Sequence, residues 1–208
     1  MLPVSSHDRI LMAAKRLFAY NGYENTSTVA IAREAGTSES QLMKHFGSKR
    51  GLLAVILDRA WTDIAQRVQM LPNGNSPADR LFSALETIII ALESDPDLKN
   101  LLLLETRRVR KDNRDVFVSQ SFQQFANTIS AILGEMRDQG QLSPHLNLEA
   151  VRAAFVGMTE GLLRDRILAQ RSEFQADYSL EDVRKVLGVL VSSLATQASH
   201  QTLKVVND

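Results

Sequence analysis

The stretch Thr26–Leu53, TSTVAIAREAGTSESQLMKHFGSKRGLL, decides how this chain folds. Ser27 and Thr28 are capping types placed before Ile31, Ala32 and Ala35, inward positions that leave room for a second helix to cross closely. Gly36 supplies a turn. Ser38 then stands as an N-cap with Gln41 three residues on, a capping-box spacing that starts a helix running through Leu42 to Phe46. Gly47 stops that helix and Ser48 caps the next. Two short helices around a glycine turn, followed by a long one, form the layout of a helix-turn-helix, whose second helix enters the major groove of DNA.

Outside this motif the pattern is helical throughout, with no period-two alternation long enough for a strand. Ile10, Leu11, Ala14, Leu17 and Phe18 share one face of a helix from Ser6 to Asn21, which Gly22 stops. A helix from Ser48 to about Met70 carries Leu53, Ile56, Leu57, Ala60, Trp61, Ile64 and Val68, and is long enough to leave the reader and enter the body. The loop LPNGNSP, Leu71–Pro77, is the clearest break, and Ser76 with Pro77 reads as N-cap plus first helical residue. Further helices are predicted from there to about Glu93, from Asp97 to about Lys111, and from Arg114 to Gln139. Two more run from Asn147 to about Arg171 and, behind a Ser179–Asp182 capping box, to about Ser199. The predicted fold is all-α with about nine helices: a three-helix helix-turn-helix domain over residues 1–58 and a helical domain over 59–208.

Composition narrows the function. The 208 residues suit one small reader plus one medium domain. With no cysteine and with His7, His45, His145 and His200 scattered singly, no metal or cofactor is expected. The apolar runs Thr87–Leu92 and Leu101–Leu104 fall short of the roughly 20 residues that span a bilayer, and Met1–Ser6 lacks a signal-peptide pattern, so a cytoplasmic chain with no membrane partner is expected. Nucleophile elbow, phosphate loop, dinucleotide fingerprint and H-E-x-x-H are all missing, which argues against an enzyme. Net charge is zero, from 24 basic and 24 acidic residues. Through Leu57, however, seven Lys and Arg face four acids, leaving 17 against 20 for the remainder. A mildly basic reader on a mildly acidic body suits a protein that docks one face onto phosphates.

Along the last helix Leu180, Val183, Leu187, Leu190, Val191 and Leu194 form an apolar stripe, and Gly157 with Gly161 on the preceding helix permits close backbone approach. Such helices either complete the core of one subunit or build a four-helix interface between two.

Taken in order, RILMAAKRLFAYNGY at Arg9–Tyr23, Thr28, Ile31 with Ala32, Ala35 with Gly36, Ser38, Leu42, His45 with Phe46, and Lys49 carry a resemblance. The segment Arg9–Leu53 resembles the DNA-binding domain of the TetR/AcrR bacterial transcriptional regulators; the rest of the chain resembles them only in length and helical pattern. The resemblance implies a sequence-specific regulator, by family habit a repressor. It would bind double-stranded DNA as a homodimer at a palindromic operator, with half-sites about 34–36 Å apart or multiples of that. It also implies release by a small apolar or amphipathic effector, which makes 59–208 the effector-binding and dimerisation domain. A ligand-independent DNA-binding or protein-interaction module stays open as the alternative. Three positions depart from the family: Met43 stands where a tyrosine that touches the DNA backbone is usual, and Ser40 and Gln41 stand where Gly and Thr are frequent.

Roles follow from position. Ser38, Glu39, Ser40, Gln41, Lys44 and His45 are the polar residues of the second motif helix. Gln41 suits an adenine edge, Lys44 a guanine and Glu39 a cytosine. Gln41 equally suits completion of the capping box with Ser38, and His45 suits a phosphate or packing beside Phe46. Backbone contacts are expected from Ser27, Thr28, Lys44 and Lys49, the last at a helix start whose amides favour phosphate. The resemblance places an effector pocket in the body, where Phe82, Leu85, Leu104, Phe122, Phe125, Phe155, Met158 and Leu162 offer an apolar lining, with Glu105, Glu160 or Arg164 as polar anchors. The dimer interface is expected at Gly157, Gly161, Val183, Leu187, Leu190, Val191 and Leu194. Arg107, Arg108, Arg110 and Lys111 have no assigned role. Helix four is the expected lever through which effector and DNA oppose each other's binding.

Overall fold

The computed structural model describes residues 5–72, 76–105 and 119–205, without the side chains of 104, 105 and 195–205. Among the described residues there are nine α-helices, one π turn and no strand. In chain order they are α1 (Ser6–Asn21), α2 (Thr28–Glu34), α3 (Glu39–Phe46), α4 (Lys49–Gln69) and α5 (Pro77–Ser94). There follow α6 (Pro96–Asn100), the π turn (Leu101–Glu105), α7 (Gln120–Asp138), α8 (Leu148–Arg171) and α9 (Leu180–Val205).

The helix starts sit where capping side chains stand. Ser5, Ser27, Ser38, Asp95 and Asn147 each accept a hydrogen bond from the backbone N–H three residues on. At α9 the box is reciprocal: Ser179 N–H donates to Asp182 Oδ2 at 2.8 Å and Asp182 N–H to Ser179 Oγ at 3.1 Å. The helix predicted from Asp97 is short, giving way to the π turn after Asn100; this wider turn keeps Leu101 and Leu103 both buried. The rest of that predicted helix, with Arg107, Arg108, Arg110 and Lys111, lies outside the described residues.

The chain divides into two compact units, Met1–Asp63 with Leu92–Phe122, and Ile64–Ala91 with Gln123–Asp208. This differs from the division at residue 58, because α6 and the π turn pack on α1. Leu101, fully buried, belongs to the same core as Ile10, Phe18, Ile31, Leu42 and Leu52. Lys15 of α1 pairs with Asp95, the N-cap of α6. Below Trp61, whose ring meets Phe122 edge-on at 4.8 Å, Asp58 Oδ1 accepts from Ser121 Oγ at 2.9 Å, so the start of α7 is tied to α4.

The second unit buries Leu81, Leu85, Ile88 and Ile89 of α5 with Phe125, Ile129 and Leu133 of α7. Phe155, Leu163 and Ile167 of α8 complete the layer, and the buried Thr159 hydroxyl donates to Phe155 O at 2.9 Å. Ion pairs Arg80–Glu135 at 2.5 Å and Arg184–Glu86 at 3.1 Å join its helices at the rim.

The stripe on α9 is corrected here. Val183, Leu187 and Val191 are 1%, 0% and 3% exposed and fill the subunit's own core, as residues four apart on one helical face must when that face is covered. Leu194 is half-buried. What α9 leaves outside is Val186, Val189 and Leu190, with Gly157 exposed on α8.

Candidate nucleic-acid interface

The turn between α2 and α3 is a Schellman motif: Thr37 N–H donates to Ala32 O at 2.9 Å and Gly36 N–H to Arg33 O at 3.2 Å. Gly36 takes φ +61°, the left-handed conformation that side-chain-bearing residues avoid. Arg9 Nε reaches across from α1 to Ala35 O at 3.0 Å and satisfies a carbonyl that α2 leaves open at its end. Ser38 Oγ accepts from Gln41 N–H at 3.2 Å to begin α3.

On α3, Leu42 and Phe46 are buried, which turns Ser40, Gln41 and Lys44 to the far side of a helix of 3.6 residues per turn. All three are exposed, as are Glu39, Met43 and His45. Ser40 and Lys44 have no hydrogen-bond or ion-pair partner among the described residues. Gln41 Oε1 accepts from Thr37 Oγ1 at 3.3 Å, so its side chain leans toward the turn and does not close the box onto Ser38. Thr28 Oγ1 donates to Glu39 Oε1, joining α2 to α3 at the expense of both residues' outward reach. Ser27 Oγ accepts from Ala30 N–H at 3.1 Å and keeps its own proton for an outside acceptor.

His45 packs. Its ring lies 5.9 Å from Phe46 and edge-on to His7 at 5.7 Å, while Ser6 Oγ is 3.4 Å from Nε2. His7 in turn stacks on Phe46 at 4.8 Å, so the N-terminus of α1 and the C-terminus of α3 share one aromatic cluster.

Lys49, expected at a phosphate, is engaged within the chain. Its ammonium donates to Tyr23 O at 2.9 Å, Thr26 O at 3.0 Å and Glu24 O at 3.3 Å, and lies 4.5 Å over the Tyr23 ring. An ammonium has three protons, and three carbonyls take them. Burial holds its pKa below the ordinary lysine value. Lys49 therefore clamps the loop that leads into α2. The residue behind this geometry that the sequence did not single out is Gly51, where a Cβ would stand 2.2 Å from Phe46 O. Only glycine lets the first turn of α4 approach the end of α3 so closely.

The residues expected to line an effector pocket are dispersed. Leu85, Phe125 and Phe155 are buried in the second unit, Phe82, Met158 and Leu162 are half-buried there, and Phe122 packs on Trp61 in the first. Leu104 and Glu105 have no described side chains. A cavity of about 410 Å³ lies elsewhere, within the first unit, among α1, α4 and α6. Among the described residues no three metal-ligating side chains come together, and no helix is long and apolar enough to cross a membrane.

The family profile described as bacterial regulatory proteins, tetR family, matches residues 10–56, the span from α1 into α4 just described. Residues 10–56 form a tetR-family regulatory domain. Within that DNA-binding domain the turn, the buried Leu42–Phe46 edge and the exposed Ser40–Lys44 face make up one helix-turn-helix. Along most of its length the chain is similar to the HTH-type transcriptional regulator YdgC of Bacillus subtilis, 27% identical over 177 residues that cover 79% of this chain and 83% of YdgC. Among solved structures it is similar in fold to FadR from Bacillus subtilis in complex with stearoyl-CoA, with TM-score 0.77, 19% identity and coverage of 90% of this chain and 98% of that one. It is also similar in fold to AibR in complex with isovaleryl coenzyme A and operator DNA, with TM-score 0.68, 21% identity and coverage of 90% and 99%.

Proposed function

We propose that this regulator is a repressor that binds a palindromic operator as a homodimer and leaves it when a small amphipathic effector binds. The observation that carries the reading is α3 itself. Its Ser40 and Lys44 stand clear of the protein, with Gln41 exposed beside them and held only by Thr37, on a helix braced by Leu42, Phe46 and the Gly51 approach, as a side chain that reaches base edges must be. The dimer is proposed through the outer faces of α8 and α9, where Gly157, Val186, Val189 and Leu190 remain exposed. Twofold pairing gives each half-site the same reader, so the operator is an inverted repeat. Acyl-coenzyme A thioesters are the first effector class to try, because the complexes of FadR and AibR hold such molecules on this fold.

The reader is tested by replacing Ser40, Gln41 and Lys44 with alanine together. The variant should keep its helical circular-dichroism spectrum and weak binding to any duplex, yet lose preference among sequences. Retained preference would move sequence reading away from α3. The effector half is tested by titrating acyl-coenzyme A onto the protein–operator complex, and release below the concentration of free coenzyme A needed for the same effect supports it.

A further inference from the structure

We propose that the cavity among α1, α4 and α6 is a binding site for an apolar cation, and that its occupation acts on the reader directly. The second part rests on the DNA-binding reading above; the first does not.

The floor is apolar. Leu11, Ile56, Ala60 and Leu98 keep only 6%, 6%, 8% and 8% of their surface, so they are core residues with one edge showing. Met12, 53% exposed at the same cavity, adds an unbranched thioether side chain that adapts to an occupant's shape. A volume of about 410 Å³ lies within the range of small-molecule sites.

The rim is charged, and its charges do not cancel. Asp8, Asp63 and Asp95 face Lys15 and Arg59. Lys15 is taken by Asp95, and Arg59 by Asp8 at 3.1 Å. The Ser5 hydroxyl and the Arg59 guanidinium hold Asp8 below the usual carboxylate range. Asp63 makes no ion pair among the described residues, although Arg59 and Arg67 stand four residues to either side of it on α4, and it is exposed at the edge of the recess. An anion entering here would have to break one of two ion pairs; a neutral molecule would leave Asp63 as it is. A cation with an apolar body covers the floor and supplies the missing charge.

The site is also placed to matter. Leu11 and Ile56 belong to the core that packs Leu42 and Phe46 of α3, so an occupant pressing on the floor presses on the packing that orients the recognition helix.

A matched series tests this on DNA-free protein by calorimetry: 4-phenylbutylamine, 4-phenylbutanol and 4-phenylbutyrate share one apolar body and differ in head charge. The amine should bind about tenfold tighter than the alcohol, the worth of one charge-assisted hydrogen bond, and the carboxylate weakest. Asp63→Asn should remove the amine's advantage and leave the alcohol unchanged; Met12→Trp, which fills the recess from an exposed position, should weaken all three. Equal binding of amine and alcohol, no binding, or an amine preference that survives Asp63→Asn would overturn the site. Failure of the amine to change affinity for a selected duplex would overturn its action on the reader while leaving both the site and the DNA-binding reading intact.

Discussion

Lys49 and Gly51 show how a DNA reader is held rather than how it reads. Removing the Lys49 ammonium takes a donor from three carbonyls of the Tyr23–Thr26 loop, of which Tyr23 O keeps the Thr26 N–H at 3.4 Å, and a part-buried unsatisfied acceptor costs about 1–3 kcal/mol. Lys49→Met should therefore lower the unfolding free energy by about 1–3 kcal/mol, read as a lower urea midpoint, while the salt dependence of DNA binding keeps its slope. A slope shallower by about one would restore the phosphate contact. Gly51→Ala drives a methyl into Phe46 O and should destabilise by about 1–3 kcal/mol, as overpacking does. Gly134→Ala, in the interior of α7 with nothing within 4 Å of the added carbon, should stabilise by about 0.5–1 kcal/mol. Paired thermal melts decide both, and a shift of the same sign in the two variants would contradict the packing described. Lys49 was legible as important but not as a clamp, because the carbonyls it binds lie 23–26 residues earlier and carry no sequence signal. Gly51 was illegible for the same reason: it sits inside a helix, and its need arises from a backbone brought near only by folding.

Among the elements, starts and stops were legible because caps are local chemistry. Ser38, Asn147 and the Ser179–Asp182 box each sit one residue ahead of the helix they begin. The box predicts a pH effect of definite sign. Hydrogen bonds from the Ser179 side chain and backbone hold the Asp182 carboxyl below its ordinary value. A depressed carboxylate stabilises the fold fully above about pH 4 and loses that contribution as pH falls through the lower folded value. Asp182→Asn should then flatten the acid limb of a stability–pH curve and change nothing in its shape above about pH 5; an unaltered acid limb would remove the box from the account. Where α6 ends and which side of α9 is buried were not legible. Both depend on partners: Leu101 and Leu103 are buried together only through the π turn, and Val183, Leu187 and Val191 look the same in sequence whether their cover is their own subunit or another.

At the scale of the whole molecule, the proposed dimer is what gives the reader its symmetry. Val189→Glu places a charge on the exposed side of α9, 65% open in one chain, and should yield a folded monomer by sedimentation with operator affinity reduced at least tenfold. A folded dimer carrying Val189→Glu would move the interface elsewhere. In the proposed dimer two copies of α3 read two copies of one half-site. It is tested most directly by selecting the purified protein against random duplex DNA, sequencing what is retained, and titrating the best sequence with salt. The expected result is an inverted repeat whose half-sites are about one helical turn, or a multiple of it, apart, with affinity falling steeply as salt rises. Enrichment of a single unsymmetrical site, or of no sequence at all, would contradict it.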